Sequence, residues 1–297
     1  MISVSKIRDR VADLCIQANL VLRRDVLSAL KRAFKNEKNK KAKEILGAII
    51  KNARIAQKEK LAICQDTGLP VVFLEIGRDV RIAGDLQSAV NRGIESGYKK
   101  GFLRNSVVGD PLSRGRPRYQ PAVMHIDFMR GDRLRLTVCS CGFGCENKTQ
   151  LKMFNPTAQI SEIKKFVIDV VRAAGPDACP PYIVGVGIGG TAHYACLLAK
   201  KALLRAVVRP LRGDFASLRT RPSSVVRNGI RNTEYGIRII ERELLNEINR
   251  LNIGPMGLGG KTTALGVNIL TYPTHIAGLP VAVNISCHAL RSATKTI

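Results

Sequence analysis

Apolar residues recur at helical spacing through the first sixty positions of the chain. Between residues 3 and 34 they return every three or four positions, and a second set of this kind covers 45–56. The interval 36–43 between them is almost wholly polar. Because this period matches the turn of an α-helix, the pattern predicts a helical part over 1–60, with a turn or an exposed helix end in the polar interval.

Strand-like and helix-like patterns alternate irregularly after that point. β-rich runs predict strands at 69–76, 122–128, 134–138, 183–186, 267–269 and 281–285. Helical periodicity returns at 161–174, 191–204 and 234–251. The residues 130–132 predict a hairpin turn, and Ser161 is the expected N-cap of its helix. The rhythm is not strictly βαβ, so we expect one mixed α/β domain over 1–297, helical at the N-terminus and followed by a mixed sheet packed with helices.

The charge balance is strongly basic. The 297 residues carry 48 Lys and Arg against 23 Asp and Glu, a formal net charge of +25. Such an excess favours a polyanionic partner or a small anionic substrate. The stretch 206–233 is rich in Arg, Pro and Gly, which predicts an inserted surface loop. No nucleic-acid motif accompanies the charge, so a basic protein that binds nucleic acid is kept only as an alternative.

The composition excludes several classes of protein. With 45% hydrophobic residues the chain is not disordered. It has no apolar run of roughly 18 residues and no apolar signal-peptide core, so we expect an intracellular, cytoplasmic protein without a membrane span. The eight cysteines are spread along the whole chain, unlike those of a small secreted disulfide scaffold.

Two glycine-rich stretches resemble nucleotide-binding motifs but depart from them. Residues 185–190 have the form GxGxxG, yet no acidic residue follows about 20 positions later. Residues 254–262 approach a phosphate-binding loop, but Pro255 stands where that motif needs Gly. A third Gly-rich turn at 141–148 ends in a cation and suits a carboxylate as well as a phosphate.

The cysteines offer two candidate metal sites. Cys139, Cys141 and Cys145 are spaced closely enough for a metal knuckle, although the first two alternate on a predicted strand and would face one side. Three others share a place at a predicted loop edge beside polar residues: Cys64, Cys179 and Cys287. Spacing alone leaves open whether these are metal ligands or buried thiols, whereas Cys15 and Cys196 lie on helix faces and are expected to pack.

Five long segments carry a resemblance to a known family. They are ICQDTGLPVVF at 63–73, YKKGFLRNSVVGDPL at 98–112, ENKTQLKMFNP at 146–156, ACPPYIVGVGIGGT at 178–191 and IGPMGLGGKTTALGVNILTYPTHIAGLPVAVNISCHALR at 253–291. On these residues the chain resembles the alpha subunit, or N-terminal half, of class I (iron–sulfur) fumarate hydratase, and the related alpha subunit of L(+)-tartrate dehydratase. The resemblance covers about 1–205 and 234–293.

The resemblance implies a [4Fe–4S] cluster held by only three thiolates. The matching positions are Cys64, Cys179 and Cys287. The fourth iron would keep an open site for a substrate carboxylate and for the hydroxyl that is added or lost. The implied reaction is the reversible hydration of fumarate to L-malate, with L(+)-tartrate dehydration as the alternative.

The resemblance also implies the residues around the dicarboxylate. Gln65, Asp66 and Arg104 would surround it, and Asp66 would either act as general acid or base or only order the site. A guanidinium such as that of Arg104 fits a carboxylate bidentately. Gly142 and Gly144 would let the backbone approach the substrate. The remaining contacts would come from a separate beta subunit, so we expect inactivity alone and activity in a dimer of alpha–beta pairs.

Several positions depart from the family pattern. The turn 141–145 reads CGFGC where the family usually has Lys-Gly-Gly-Gly-Ser, so that Phe143 needs room at a glycine position. Ala192 and His193 stand where an acidic residue is common, and 206–233 replaces a shorter, more acidic connection. These changes leave open a diverged or impaired enzyme.

Overall fold

The computed structural model describes residues 1–207 and 234–297. The chain divides into two compact units, each of which is described by itself. Unit 1 comprises Met1–Leu27, Gly47–Phe143 and Ala289–Ile297, and unit 2 comprises Ser28–Leu46 and Gly144–His288. The predicted Arg-rich loop at 206–233 lies, from residue 208 onward, outside the described residues.

The first sixty residues are helical, as predicted, but they form three helices, because the chain also breaks between residues 20 and 24. They are α1 (Val4–Leu20), α2 (Arg24–Asn36) and α3 (Lys40–Glu59). The polar interval forms the turn before α3. There the buried carboxylate of Glu37 accepts hydrogen bonds from the backbone N–H groups of Lys38 (2.9 Å) and Asn39 (3.0 Å). The Asn39 side chain accepts from the Ala42 N–H at 3.1 Å, which caps the first turn of α3.

Unit 1 is built around a four-stranded sheet. After a two-residue strand β1 (Ile2–Ser3), its further elements are β2 (Leu69–Gly77), β3 (Ile82–Ala83), α4 (Leu86–Lys100), β4 (Val107–Asp110), β5 (Arg114–Arg118), β6 (Val123–Met129), β7 (Leu134–Cys141) and β12 (Ser292–Thr296). The sheet order is β12-β7-β2-β6, and β4 pairs with β5 in a separate ribbon. Apolar residues of α1, α4, β2 and β7 form one buried cluster, since each helix turns an apolar stripe toward the sheet.

The predicted hairpin at 130–132 is wrong. Strand β6 pairs with β2 in parallel and β7 pairs with β2 antiparallel, so β2 lies between the two strands. The connecting residues cross the end of β2, where Gly77 N–H donates to the Arg133 carbonyl (2.8 Å) and Arg78 N–H donates to the Met129 carbonyl (2.9 Å). A turn signal between two strands shows that the chain reverses, but not that the strands become neighbours.

Unit 2 contains a second four-stranded sheet. Its elements are the short helix α5 (Phe143–Glu146, whose first residue belongs to unit 1), β8 (Gln150–Phe154), α6 (Ile160–Ala174), β9 (Tyr182–Gly190), α7 (Ala192–Leu204), α8 (Glu234–Asn249), a 3-10 turn (Pro255–Gly257), β10 (Ala264–Thr274) and β11 (Leu279–Ser286). The sheet order is β10-β9-β11-β8. Helices α6 and α8 pack with the strands in one apolar cluster, and α7 packs against the sheet through Ala195 and Ala199. The N-cap of α6 is Gln159, with a capping box to Glu162, rather than the expected Ser161.

The GxGxxG pattern is explained by packing within unit 2. Its glycines lie in the strand β9 instead of a strand-to-helix turn. A Cβ atom at Gly185 would lie 2.2 Å from the Ala199 carbonyl oxygen, and one at Gly187 would lie 2.0 Å from the Ala195 carbonyl oxygen. Only glycine therefore lets α7 approach the strand this closely.

The backbone of the second glycine-rich stretch, residues 254–262, binds side chains of the protein itself. The backbone N–H of Lys261 donates to the Glu37 carboxylate at 2.8 Å, and that of Gly260 donates to the Asn252 side chain at 3.1 Å. A buried carboxylate already holds this loop, so it does not form a phosphate-binding cradle.

The two sheets and their helices confirm the predicted mixed α/β class, with a helical N-terminal part. Whether 1–297 folds as one domain stays a prediction. None of the helices in the described ranges is long and apolar enough to cross a membrane.

Candidate functional site

A short loop between α3 and β2 carries three of the predicted site residues in unit 1: Cys64, Gln65 and Asp66. The loop is anchored at its start, where Ile63 N–H donates to the Asn19 carbonyl and the Asn52 side chain donates to the Ile63 carbonyl, both at 2.9 Å. Cys64 is half-buried at the beginning of the loop. The fold therefore holds this thiol at the edge of unit 1, outside its apolar core.

Asp66 ties this loop to the end of β7. One carboxylate oxygen accepts from the Gly68 N–H and the other accepts from the Phe143 N–H, each at 3.0 Å. Both oxygens of the carboxylate are thus engaged by backbone donors within unit 1. This geometry favours the ordering role over the acid–base role among the alternatives for Asp66.

Gly142 lies against the same carboxylate. A Cβ atom at this position would be 2.7 Å from the Arg291 Nη2 atom and 3.0 Å from the Asp66 Oδ2 atom. The buried Arg291 guanidinium donates to the Asp66 carbonyl oxygen. A side chain at this position would therefore displace the Arg291 guanidinium or the Asp66 carboxylate.

The Thr67 side chain holds the backbone of Arg104 beside the loop. The buried Thr67 hydroxyl accepts a hydrogen bond from the Arg104 N–H at 2.9 Å and lies 3.2 Å from the Arg104 carbonyl oxygen, to which it donates. The Arg104 side chain is exposed. A fixed backbone thus presents a guanidinium that is accessible to an anion.

A buried polar network lies behind the loop. The Tyr98 hydroxyl donates to the Thr67 carbonyl at 3.0 Å and lies 3.2 Å from the Ser140 hydroxyl. The Asn19 side chain donates to the same Ser140 oxygen at 2.9 Å. Burial raises the pKa of the Tyr98 hydroxyl above its ordinary value, so this group stays protonated as a hydrogen-bond donor.

Two further predicted ligands, Cys179 and Cys287, lie on adjoining segments of unit 2. The His288 Nδ1–H group donates a hydrogen bond to the Cys179 carbonyl at 3.0 Å. The Cys145 sulfur accepts from the Cys287 N–H at 3.1 Å and lies 3.6 Å from the Ala178 carbonyl. Cys145 and His288 thus link the two segments, and both thiols are half-buried.

The described residues do not form the alternative metal knuckle. The Cys139 and Cys141 sulfurs are 3.6 Å apart on one side of β7, as expected from their alternation, and both are buried. Within the parts of the chain that the structure describes, no three His, Cys, Asp or Glu side chains are grouped to hold a metal ion. The assignment of Cys64, Cys179 and Cys287 as cluster ligands therefore stays a prediction.

The structure does not bring Gln65 and Gly144 into comparable contacts. The Gln65 side chain is exposed. Gly144 lies in α5, where a Cβ atom would meet nothing closer than the Asp177 carbonyl at 4.0 Å. Phe143, whose side chain is half exposed, has room at this turn. The glycine at 144 is therefore not required by packing in unit 2.

Sequence reasoning missed several residues that build the site. Arg291, Thr67 and Cys145 each hold a segment that bears a predicted site residue. Arg291 directly follows the apolar pair Ala289 and Leu290, which is a weak sign that its side chain is buried. Thr67 carries no such signal, since its partners are backbone groups distant in sequence, and Cys145 was singled out only as a candidate metal ligand.

Two relatives are similar to this chain over nearly its whole length. A protein from Methanocaldococcus jannaschii named "Putative L(+)-tartrate dehydratase subunit alpha" is 38% identical over 300 residues, which cover 98% of this chain and 98% of that protein. The L(+)-tartrate dehydratase subunit alpha of Escherichia coli strain UTI89 is 28% identical over 299 residues, which cover 99% of this chain and 92% of the relative. The similarity therefore spans both units.

The family comparison agrees with the five segments that carried the resemblance. The sequence model described as fumarate hydratase (Fumerase) matches residues 8–296. This range includes the Asp66 loop, Arg104 and the segments around Cys179 and Cys287. The chain belongs to the fumarate hydratase (Fumerase) family of hydro-lyases.

Proposed function

We propose that this chain is the alpha subunit of a two-subunit hydro-lyase that reversibly hydrates fumarate to L-malate. The observation that carries the proposal is the assembly of the loop in unit 1, where the Asp66 carboxylate accepts a hydrogen bond from the Phe143 N–H and Thr67 holds Arg104. An exposed guanidinium beside a rigid polar loop suits a dicarboxylate substrate. Family membership supports the same class of reaction.

The cofactor of this proposal is a [4Fe–4S] cluster held by Cys64, Cys179 and Cys287. Their chemistry fits such a group, because all three thiols are half-buried at loop positions while Cys15 is fully buried in the apolar core. When bound, the cluster would supply a Lewis-acidic iron that assists the departure of hydroxide from the substrate.

The protein residues would bind and orient the substrate. Arg104 would bind one carboxylate bidentately, and Gln65 would add a polar contact from the exposed side of the loop. Asp66 would order the loop, since both of its carboxylate oxygens accept backbone hydrogen bonds. The proton would be moved by a residue of the beta subunit, which the relatives' names as alpha subunits imply.

L(+)-tartrate dehydration is the second candidate function. The names of the relatives favour it, since both carry tartrate dehydratase in their names. Tartrate differs from malate by one additional hydroxyl group, and a site that hydrogen-bonds this hydroxyl would discriminate strongly between the two. Both candidates use the same loop and the same cluster ligands in this chain.

The deciding experiment is an anaerobic assay of the full chain co-expressed with the beta subunit encoded in the same genome. We expect fumarate to disappear with the formation of malate, measured by ultraviolet absorbance. Oxaloacetate formed from tartrate, with no turnover of fumarate, would select the second candidate. A cluster-loaded complex that turns over neither substrate would contradict the proposal, and the chain alone serves as the inactive control.

Replacing Thr67 by Val tests the contact that positions Arg104. The variant keeps the shape of the side chain but leaves the Arg104 N–H without its acceptor, so we expect a loss of about 1–3 kcal/mol in unfolding free energy. We also expect KM to rise more than kcat falls, because the guanidinium binds the substrate in its ground state. Thr67→Ser, which keeps the hydroxyl, should restore both values; an unchanged KM in Thr67→Val would exclude this role.

A further inference from the structure

Unit 1 exposes apolar and basic side chains along the strand pair β4–β5 and in the segment just before it. Phe102 and Leu112 are 94% and 92% exposed, which is unusual for large apolar residues. The arginines of this region are exposed as well. The term Phe102–Arg118 surface is used here for the side chains of Phe102, Arg104, Leu112, Arg114, Arg116 and Arg118.

The backbone holds Phe102 away from the core. Its φ angle is +52°, in the left-handed region that residues with a side chain seldom occupy. The Phe102 N–H donates to the Lys99 carbonyl at 3.2 Å, and the buried Leu103 donates to the Tyr98 carbonyl at 2.8 Å. The ring is thus presented to solvent by an anchored segment, and it lies two positions before Arg104.

Leu112 is also held by an ordered turn. The Asp110 carboxylate accepts from the Leu112 N–H at 2.7 Å and from the Ser113 N–H at 3.1 Å. These bonds lower the pKa of Asp110, so its charge stabilises the turn. The Asn105 side chain donates to the Pro117 carbonyl at 3.3 Å, which attaches the loop after Arg104 to β5.

The charge of this region is almost entirely positive. Between residues 99 and 118 the chain has six Lys and Arg and only one acidic residue, Asp110. Arg116 and Arg118 are two positions apart on β5, so their side chains leave the strand on the same side. Neither forms an ion pair with another residue of the described ranges.

We propose that the Phe102–Arg118 surface is the docking site for the beta subunit, which would present an apolar pocket bordered by carboxylates. This inference rests on the proposed function. Exposed aromatic and arginine side chains are the residue types enriched in protein interfaces. A partner seated here would also cover Arg104, which belongs to the proposed substrate site.

Other occupants fit less well. A second copy of this chain would bring arginines against arginines, which like-charge repulsion opposes. A single-stranded nucleic acid would use the arginines and stack on Phe102. It would leave Leu112 in water.

The test measures binding of the full chain to the beta subunit from the same genome by isothermal titration at two salt concentrations. We expect Phe102→Ala combined with Leu112→Ala to weaken binding by at least about 100-fold. We expect Arg116→Ser combined with Arg118→Ser to weaken binding about tenfold and to reduce its salt dependence. The matched control replaces two other exposed arginines of unit 1, Arg130 and Arg133, by Ser and should bind like the unaltered chain.

The outcomes separate this inference from the proposed function. Unchanged binding by both double variants, with thermal unfolding showing that they are folded, overturns the docking surface and leaves the proposed function intact. No binding by the unaltered chain contradicts the proposed function itself, and the inference falls with it. Loss of oligothymidylate binding in the arginine variant, with beta-subunit binding unchanged, would assign the surface to nucleic acid instead.

Discussion

Serine substitution of Cys64, Cys179 or Cys287 is expected to abolish binding of the iron–sulfur cluster. Each change removes one of only three proposed thiolate ligands, and a hydroxyl is a far poorer ligand for iron than a thiolate. Loss of a residue that merely supports a ligand costs 10- to 100-fold in metal affinity, so loss of a ligand should cost more than about 100-fold. Iron and acid-labile sulfide per chain, after anaerobic reconstitution, measure the effect directly.

The control for this series is Cys196→Ser. Cys196 lies on α7 beside the small apolar cluster of Ala195 and Ala199, and it is half-buried like the proposed ligands. It should keep its iron, its sulfide and the broad visible absorbance of the cluster. If Cys64→Ser, Cys179→Ser and Cys287→Ser all retained iron while remaining folded, the ligand assignment would be wrong.

The helices and strands were predictable where one periodicity dominates. The apolar stripes of α1 and α3 gave helices, and the runs within β2 and β7 gave strands. The pairing of strands was not predictable, because alternation states which side of a strand is buried but not which strand lies beside it. Hence β6 and β7 were expected to be neighbours, although β2 lies between them.

The candidate site was predictable only in part, and through resemblance more than through pattern. The residues that contact substrate in the proposal lie in long specific segments such as the one around Asp66. The residues that hold them, such as Thr67 and Arg291, act on backbone groups brought near only by the fold. No periodicity or local motif encodes a hydrogen bond between a side chain and a backbone group more than thirty positions away.

The glycines of β9 show how a motif can arise from packing alone. The spacing GxGxxG has the form of a dinucleotide-binding motif, whereas Gly185 and Gly187 face the backbone of α7. Glycine on alternate strand positions follows from a helix lying directly on that strand, since the side-chain period of a strand is two. A side chain added at one of these glycines should therefore lower the stability of unit 2. Nucleotide binding plays no role in this effect.

Replacing Gly187 by Ala is expected to destabilise unit 2 severely. The added Cβ would lie 2.0 Å from the Ala195 carbonyl oxygen and 2.6 Å from the Ala199 N atom, and both of these are backbone atoms that cannot rotate away. Relief requires α7 to move off the sheet, so we expect a loss of about 3 kcal/mol or more, measured by denaturant or thermal unfolding. Gly278→Ala is the matched control, since a Cβ there would meet nothing closer than the end of the Met153 side chain at 3.8 Å. Equal unfolding midpoints for the two variants would show that α7 does not rest on β9, and the glycine pattern would then need another cause.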